Sequence, residues 1–332
     1  MVMETWLTKT CGVRAPFVQG GLQWVARAEL VAAVANAGAL GFLSALTQPN
    51  PEALRQEIRK TRALCGGKQF GVNFTMLPSI VTPDYAAYAQ VAIEEGIRLF
   101  ETAGNPKTVL PILRQKKKAI VIHKCVSVRH ALRAEQLGVD AISIDGFECA
   151  GHPGEDDVTT LILLARVRQV CKLPIIASGG FADGAGCAAA FAAGAVGVNM
   201  GTRWLATVEA PIHANIKQAM VEAKETDTAL LLRSLNNSVR CFLNPVSKEV
   251  LEIQNREGSN FSFTKEVAAL MNGKRGEQVY VTGDKDAGIW SLGQSVGLIY
   301  DVPTCAELVP RLERETEECL QAAAALVVKP KL

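Results

Sequence analysis

The 332-residue sequence predicts a parallel (β/α)8 barrel with a smaller, mainly helical second domain after its eighth strand. Three observations predict this. Short β-type runs alternate with amphipathic helical segments up to about residue 204. The runs are almost continuously apolar, as strands are when both faces of a sheet are covered. Nearly every run ends in glycine or polar residues, on the face where barrel enzymes place their chemistry. Eight such strands with helical crossovers fit a closed barrel better than a doubly wound sheet.

In chain order the expected strands are Phe17–Gly20, Leu40–Ser44, Phe70–Thr75, Leu99–Ala103, Ala119–Cys125, Ala141–Gly146, Pro174–Gly180 and Gly197–Thr202. Between them, Ala28–Asn36, Pro51–Leu64, Ala131–Leu137 and Thr160–Val170 carry helical periodicity. Asn50 before Pro51 and Asp183 before the next helix are N-cap signals, and Gly38, Gly96, Gly138 and Gly194 are stop signals. After Thr202 the rhythm breaks. Residues 205–290 read as a polar, helical lid without strand alternation, and residues 1–204 and 291–332 form the barrel domain. A last helix, from about Ala306 to Leu326, packs back on the barrel.

A net charge of +2 gives no strong field towards nucleic acid or an acidic membrane. The RQKKK run at 114–118 reads as the solvated end of a helix. The nine cysteines include no CxxC pair and no zinc spacing, so free thiols in a reducing compartment are expected. No apolar stretch approaches the roughly 20 residues that span a bilayer, and the N-terminus, with Glu4, lacks a basic secretory region. The expectation is a cytoplasmic protein that handles small molecules, with a homodimer compatible with all of this and no metal site.

Two loops have phosphate-binding character. Ser178–Phe181 (SGGF) closes strand seven and Asn199–Thr202 (NMGT) closes strand eight. Glycine lets backbone N–H groups approach an anion, and barrel enzymes often hold phosphate after these two strands. A GxGxxG after strand one and a GxxxxGK[ST] run are both absent, which argues against Rossmann and P-loop nucleotide sites. At the end of strand five, alternation turns only one of His123 and Lys124 towards the barrel mouth. A lysine there would set positive charge beside a ligand that gains negative charge. Its plainer reading is a lysine that snorkels to water.

The most unusual stretch is DGFECAGHPGEDD at 145–157. His152 alone among the four histidines has the setting of a general acid/base, since His130 and His213 fall in helical or pre-helical surface contexts. Glu155, Asp156 or Asp157 would orient it, and at least one is expected to cap the helix starting near Thr160. Cys149 is a rival nucleophile, although a small buried thiol is the commoner fate of such a residue.

These motifs resemble the nitronate monooxygenase (formerly 2-nitropropane dioxygenase) family of FMN-dependent barrels, and within it the bacterial NADH:quinone reductase subgroup. The likeness runs through QGGLQWV at 19–25, FGVNFTMLP at 70–78, ETAGN at 101–105, HKC at 123–125, the 145–157 stretch, ASGGFADG at 177–184, NMGTRWLAT at 199–207, LRSLNN at 232–237 and GIWSLGQSVGLI at 288–299. The resemblance implies FMN contacts at Gly21, Leu22, Gln23, Thr75, Lys124, Ala150, Gly179, Gly180, Phe181, Gly201 and Thr202, and His152 as the active-site histidine. It implies ping-pong exchange of two electrons between NADH, as a transient co-substrate, and a quinone. The AGHPGE around His152 departs from the GGHxG of many nitronate oxidisers, which favours the reductase. Nitronate oxidation with O2, FMN-dependent enoyl-thioester reduction, covalent chemistry at Cys149 and a non-catalytic flavin scaffold are the competing expectations.

Overall fold

A computed structural model describes residues 3–76 and 82–327; Leu77 and Pro78 of the FGVNFTMLP motif lie outside the described residues. Eight parallel strands close on themselves: β1 (Phe17–Gln19), β2 (Leu40–Ser44), β3 (Gly71–Met76), β4 (Leu99–Gly104), β5 (Ile120–Cys125), β6 (Ala141–Asp145), β7 (Ile175–Ser178) and β8 (Gly197–Met200). Closure is made by β1 and β8, with Val18 opposite Asn199. Every expected strand is present, and the boundaries differ by at most two residues at any end.

The first helix, α1 (Trp6–Cys11), lies under the barrel and buries Leu7 and Cys11 in its floor. The crossover helices are α2 (Ala28–Asn36), α3 (Pro51–Leu64), α4 (Tyr85–Glu94), α5 (Leu110–Leu113), α6 (Val128–Gln136), α7 (Thr160–Val170) and α8 (Gly184–Ala192). The cap signals act as expected: Asn50 accepts from Ala53 N and Asp183 from Gly186 N. The short α9 (Thr202–Leu205) follows β8, and α10 (Ala214–Glu222), α11 (Pro245–Glu257), α12 (Lys265–Leu270), α13 (Gly273–Thr282) and α14 (Cys305–Ala325) complete the set. The last packs against α8 and α2, so the C-terminal helix does return to the barrel.

One expectation for 205–290 is corrected. The segment is not free of strands: β9 (Thr228–Leu231) and β10 (Val239–Phe242) pair antiparallel, with Val239 opposite Leu231. Four-residue runs such as TALL and VRCF are too short for alternation to stand out. The division of the chain at 204/205 and 290/291 is a proposal. It is supported by a separate apolar cluster that includes Leu231, Cys241, Val250, Ile253 and Val267, while Ile216, Met220, Val279 and Tyr280 tie the flanking helices to the main core.

Side-chain alternation along the strands sorts the barrel into layers. Val18, Leu40, Phe42, Leu99, Ile122, Ala141 and Ile176 fill the lower interior. Two residues beyond Gly71, Leu99, Ala141 and Gly197 the interior turns polar, with Asn73, Glu101, Ser143 and Asn199 all buried. The residues in between, such as Val72, Phe74, Phe100 and Val121, pack outward beneath the helices. An apolar floor under a polar ceiling is what positions a site at the carboxyl ends of the strands.

Candidate active site

Glu101 organises that polar ceiling. Its Oε2 accepts from Gly21 N and Asn73 Nδ2, each at 2.7 Å, and its Oε1 accepts from Asn199 Nδ2 at 3.3 Å. Asn199 Oδ1 in turn accepts from Gly20 N at 3.1 Å, and Thr75 Oγ1 donates to Asn73 Oδ1 at 2.9 Å. One buried carboxylate therefore fixes the loop after β1 against β3 and β8. Sequence reasoning quoted Glu101 within ETAGN and gave it no role. The available signal was its register: a charged residue at an inward position between Phe100 and Thr102.

Alternation on β5 resolves the choice at its end. Lys124 follows Ile122 into the barrel, and its Nζ lies 3.4 Å from Asp145 Oδ2. Burial works against the lysine's charge, but Asp145, Glu101 and Cys149 outweigh it and hold its pKa above the ordinary lysine value. His123 turns towards the strand–helix interface, where Nδ1 meets Thr102 Oγ1 at 2.8 Å. Burial, with His130 adding to it, pushes His123 down to about 4 from an ordinary 6.5. The unfolded chain therefore binds the extra proton between those values, so stability falls as pH drops from about 6.5 to about 4, by up to about 3 kcal/mol. Thermal unfolding at pH 7 and pH 4.5 checks this. The acid-induced fall in Tm is expected to shrink in His123→Asn, and an equal fall in both proteins would assign it elsewhere.

The loop after β6 carries His152. Burial lowers its pKa, with Glu155 opposing, so the imidazole is neutral near pH 7. Of the three acids expected to orient it or cap α7, none caps that helix. Glu148 does so instead, accepting from Thr160 N at 3.0 Å. Glu155 accepts from Ser238 N and Oγ, at 2.8 and 2.5 Å, and Asp157 takes a bidentate pair from Arg233 at 2.8 and 2.7 Å. Glu155 and Asp157 are thus spent on the turn that joins β9 and β10. Arg240 of β10 completes the fastening: its backbone exchanges hydrogen bonds with Gly151, and its guanidinium donates to Phe147 O while lying 4.5 Å from the Phe147 ring centre. Sequence reasoning missed Arg240 because it missed the ribbon. Cys149 is buried, and its thiol is pushed well above the usual range by burial, with Asp145 adding to it. That is the opposite of an activated nucleophile.

After β7, Gly179 and Gly180 adopt φ of +87° and +84°. The N–H groups of Gly179, Gly180 and Phe181 donate to no protein acceptor among the described residues. A Cβ on Gly179 would stand 3.0 Å from Cys149 Cβ and 3.1 Å from the backbone N and O of Gly146. Three free donors on a turn that has no room for a side chain form a cradle suited to an anion. Gly201 and Thr202 lie beside it after β8, where Thr202 Oγ1 accepts from Gly293 N at 3.0 Å.

All twelve residues singled out from the sequence line one cavity of about 1130 Å³ over the barrel mouth. They are Gly21, Leu22 and Gln23 after β1, Thr75 on β3, Lys124 on β5, Ala150 and His152 after β6, Gly179, Gly180 and Phe181 after β7, and Gly201 and Thr202 after β8. Among the described residues no cluster of His, Cys, Asp and Glu has the arrangement of a metal site. No helix among them is long and apolar enough to cross a membrane.

The family model for nitronate monooxygenase matches residues 4–315. The chain belongs to the nitronate monooxygenase family. Its members include a nitronate monooxygenase of Paraburkholderia phytofirmans, 26% identical over 93% of this chain and 94% of that protein. The chain is also 32% identical to the (3aS,4S,5R,7aS)-5-hydroxy-7a-methyl-1-oxo-octahydro-1H-indene-4-carboxyl-CoA dehydrogenase of Rhodococcus jostii, over 98% of this chain and 99% of that one. Among solved structures, FabK from Thermotoga maritima superimposes with a TM-score of 0.87 at 31% identity, covering 98% of this chain and 100% of its own. Like these nitronate monooxygenase relatives, the protein is an oxidoreductase on a (β/α)8 barrel.

Proposed function

We propose that the protein is an FMN-dependent NADH:quinone oxidoreductase that works by a ping-pong scheme. The observation that carries this reading is the cavity of about 1130 Å³ whose lining includes both the anion cradle after β7 and a wall without a strong base or a thiolate. Glu101 and Asp145 are held by Gly21, Asn73 and Lys124, Glu155 is held by Ser238, and Cys149 is protonated. Passing two electrons between a nicotinamide and a quinone needs no such group, and it lets both substrates use the same space in turn.

Gly179, Gly180, Phe181, Gly201 and Thr202 would hold the FMN phosphate, with Gly21, Leu22, Gln23, Thr75, Lys124 and Ala150 around the rest of the cofactor. FMN, when bound, supplies two-electron acceptance and donation. Lys124 keeps a fixed positive charge at the barrel centre. His152, neutral and fastened through its loop to β10, offers a ring N–H to a quinone oxygen. Residues 236–239 of the ribbon and Gly273, Gly276 and Tyr280 of α13 wall the outer side.

A second reading, an FMN-dependent oxidoreductase of acyl thioesters, is favoured by the full-length likeness to a carboxyl-CoA dehydrogenase. Anaerobic mixing of the FMN-loaded protein with NADH separates the two. Rapid loss of flavin absorbance, restored by benzoquinone, is the expected result. Bleaching by NADH that an enoyl-CoA reverses and benzoquinone does not would overturn the quinone reading, and bleaching by propionate nitronate alone would make nitronate oxidation the activity.

A further inference from the structure

The cavity has a second charged region that the cofactor reading leaves unused. Lys107, which follows β4, and His130 and Arg133, one turn apart on α6 after β5, are exposed side chains that line it. In the closed strand order β4 lies four strands from β8 in either direction. Lys107 is therefore on the far side of the mouth from Gly201 and Thr202 and cannot serve an anion held in their loop. The cavity, at about 1130 Å³, also exceeds the roughly 300–1,000 Å³ of an ordinary single-ligand pocket.

The unpaired charge among these three side chains is positive. Lys107 and Arg133 have no acidic partner among the described residues, and the Arg133 guanidinium donates only to Gln136 Oε1, at 3.1 Å. Of the acids that line the cavity, Asp145 is paired with Lys124 and Glu155 is held by the backbone N–H and hydroxyl of Ser238. His130 faces Arg129 and Asp156, and burial together with Arg129 favours its neutral form, which leaves it a hydrogen-bond donor. Arg133 and a neutral imidazole at i and i+3 on one helix face, with Lys107 as a second unpaired cation from the β4 loop, suit a phosphate.

We infer that Lys107, His130 and Arg133 form a substrate-anion subsite that binds the phosphates of a molecule whose reacting end reaches the barrel centre. The inference rests on the oxidoreductase reading only in needing such a substrate. A pyrophosphate of a nicotinamide dinucleotide and the phosphates of coenzyme A share this chemistry, and the test separates them.

Calorimetry on the FMN-loaded protein, wild type against K107E/R133E, would use NAD+, coenzyme A and two phosphate-free fragments, nicotinamide riboside and pantetheine. The double variant is expected to weaken one phosphorylated probe about tenfold, with flavin content and the matching fragment unchanged. Selective weakening of NAD+ assigns the subsite to the dinucleotide, and selective weakening of coenzyme A assigns it to a thioester carrier. Equal affinities in both proteins for every phosphorylated probe, equal weakening of a fragment, or no binding of either phosphorylated probe by the wild type would each overturn the subsite. Because the readout is binding, equal affinities beside intact bleaching by NADH would remove the subsite and leave the proposed function standing.

Discussion

Gly179→Ala is expected to yield a folded but largely flavin-free protein, with FMN affinity reduced at least tenfold. The added methyl group meets two obstacles. A φ of +87° disfavours any residue with a Cβ, at a cost of about 1–3 kcal/mol. The Cβ itself would press on Cys149 Cβ at 3.0 Å and on both backbone polar atoms of Gly146. Relief requires the 178–181 turn to move, and moving it misdirects the N–H groups of Gly179, Gly180 and Phe181. Gly66 supplies the control, because it also has positive φ, at +54°, and a Cβ there meets nothing within 4 Å. Gly66→Ala should share the backbone strain and keep its flavin. Fluorescence titration with FMN, alongside far-ultraviolet circular dichroism, makes the comparison. Equal FMN affinity in Gly179→Ala and wild type would remove the cradle from the β7 turn.

The turn was visible in the sequence because two adjacent glycines after an apolar run have few other uses. The same holds for most of the barrel: Pro51–Leu64 is a helix over the expected residues because its cap and period agree, and Thr160–Val170 because of its period alone. What stayed hidden depends on contacts between segments far apart in the chain. Glu101 holds the β1 loop through residues 80 and 98 positions away, so no local pattern announces it. Arg240 reaches Phe147 across 93 residues, from a ribbon of only four residues per strand. The acids of the 145–157 stretch looked like helix caps because sequence supplies only near neighbours. The partners of Glu155 and Asp157, Ser238 and Arg233, lie 83 and 76 positions away and took precedence over the local option.

The pair formed by Lys124 and Asp145 allows charge and packing to be tested apart. Lys124→Met would leave Asp145 in a nearly closed site without its cation, and Asp145 Oδ1 already has no hydrogen-bond partner among the described residues. Breaking a fully buried pair costs several kcal/mol, but Lys124 keeps 21% side-chain exposure and the contact is 3.4 Å, so about 1–2 kcal/mol is expected here. That loss reports only the orphaned carboxylate. Adding Asp145→Asn removes the orphan, so K124M/D145N should recover most of the lost Tm. It should not recover function if the lysine acts through its charge. Flavin should be retained at least tenfold more weakly and bleached by NADH at least tenfold more slowly in both proteins, because a positive charge near developing negative charge contributes on that scale in a site screened from water. Should the double variant regain both properties, Lys124 serves only to neutralise Asp145. Should Lys124→Met bind and bleach like wild type, the charge at the barrel centre has no part in the reaction. Loss that follows Lys124 alone, with stability restored, is the outcome the two buried carboxylates beneath the mouth, Glu101 and Asp145, point to, because Lys124 is the cation set against them.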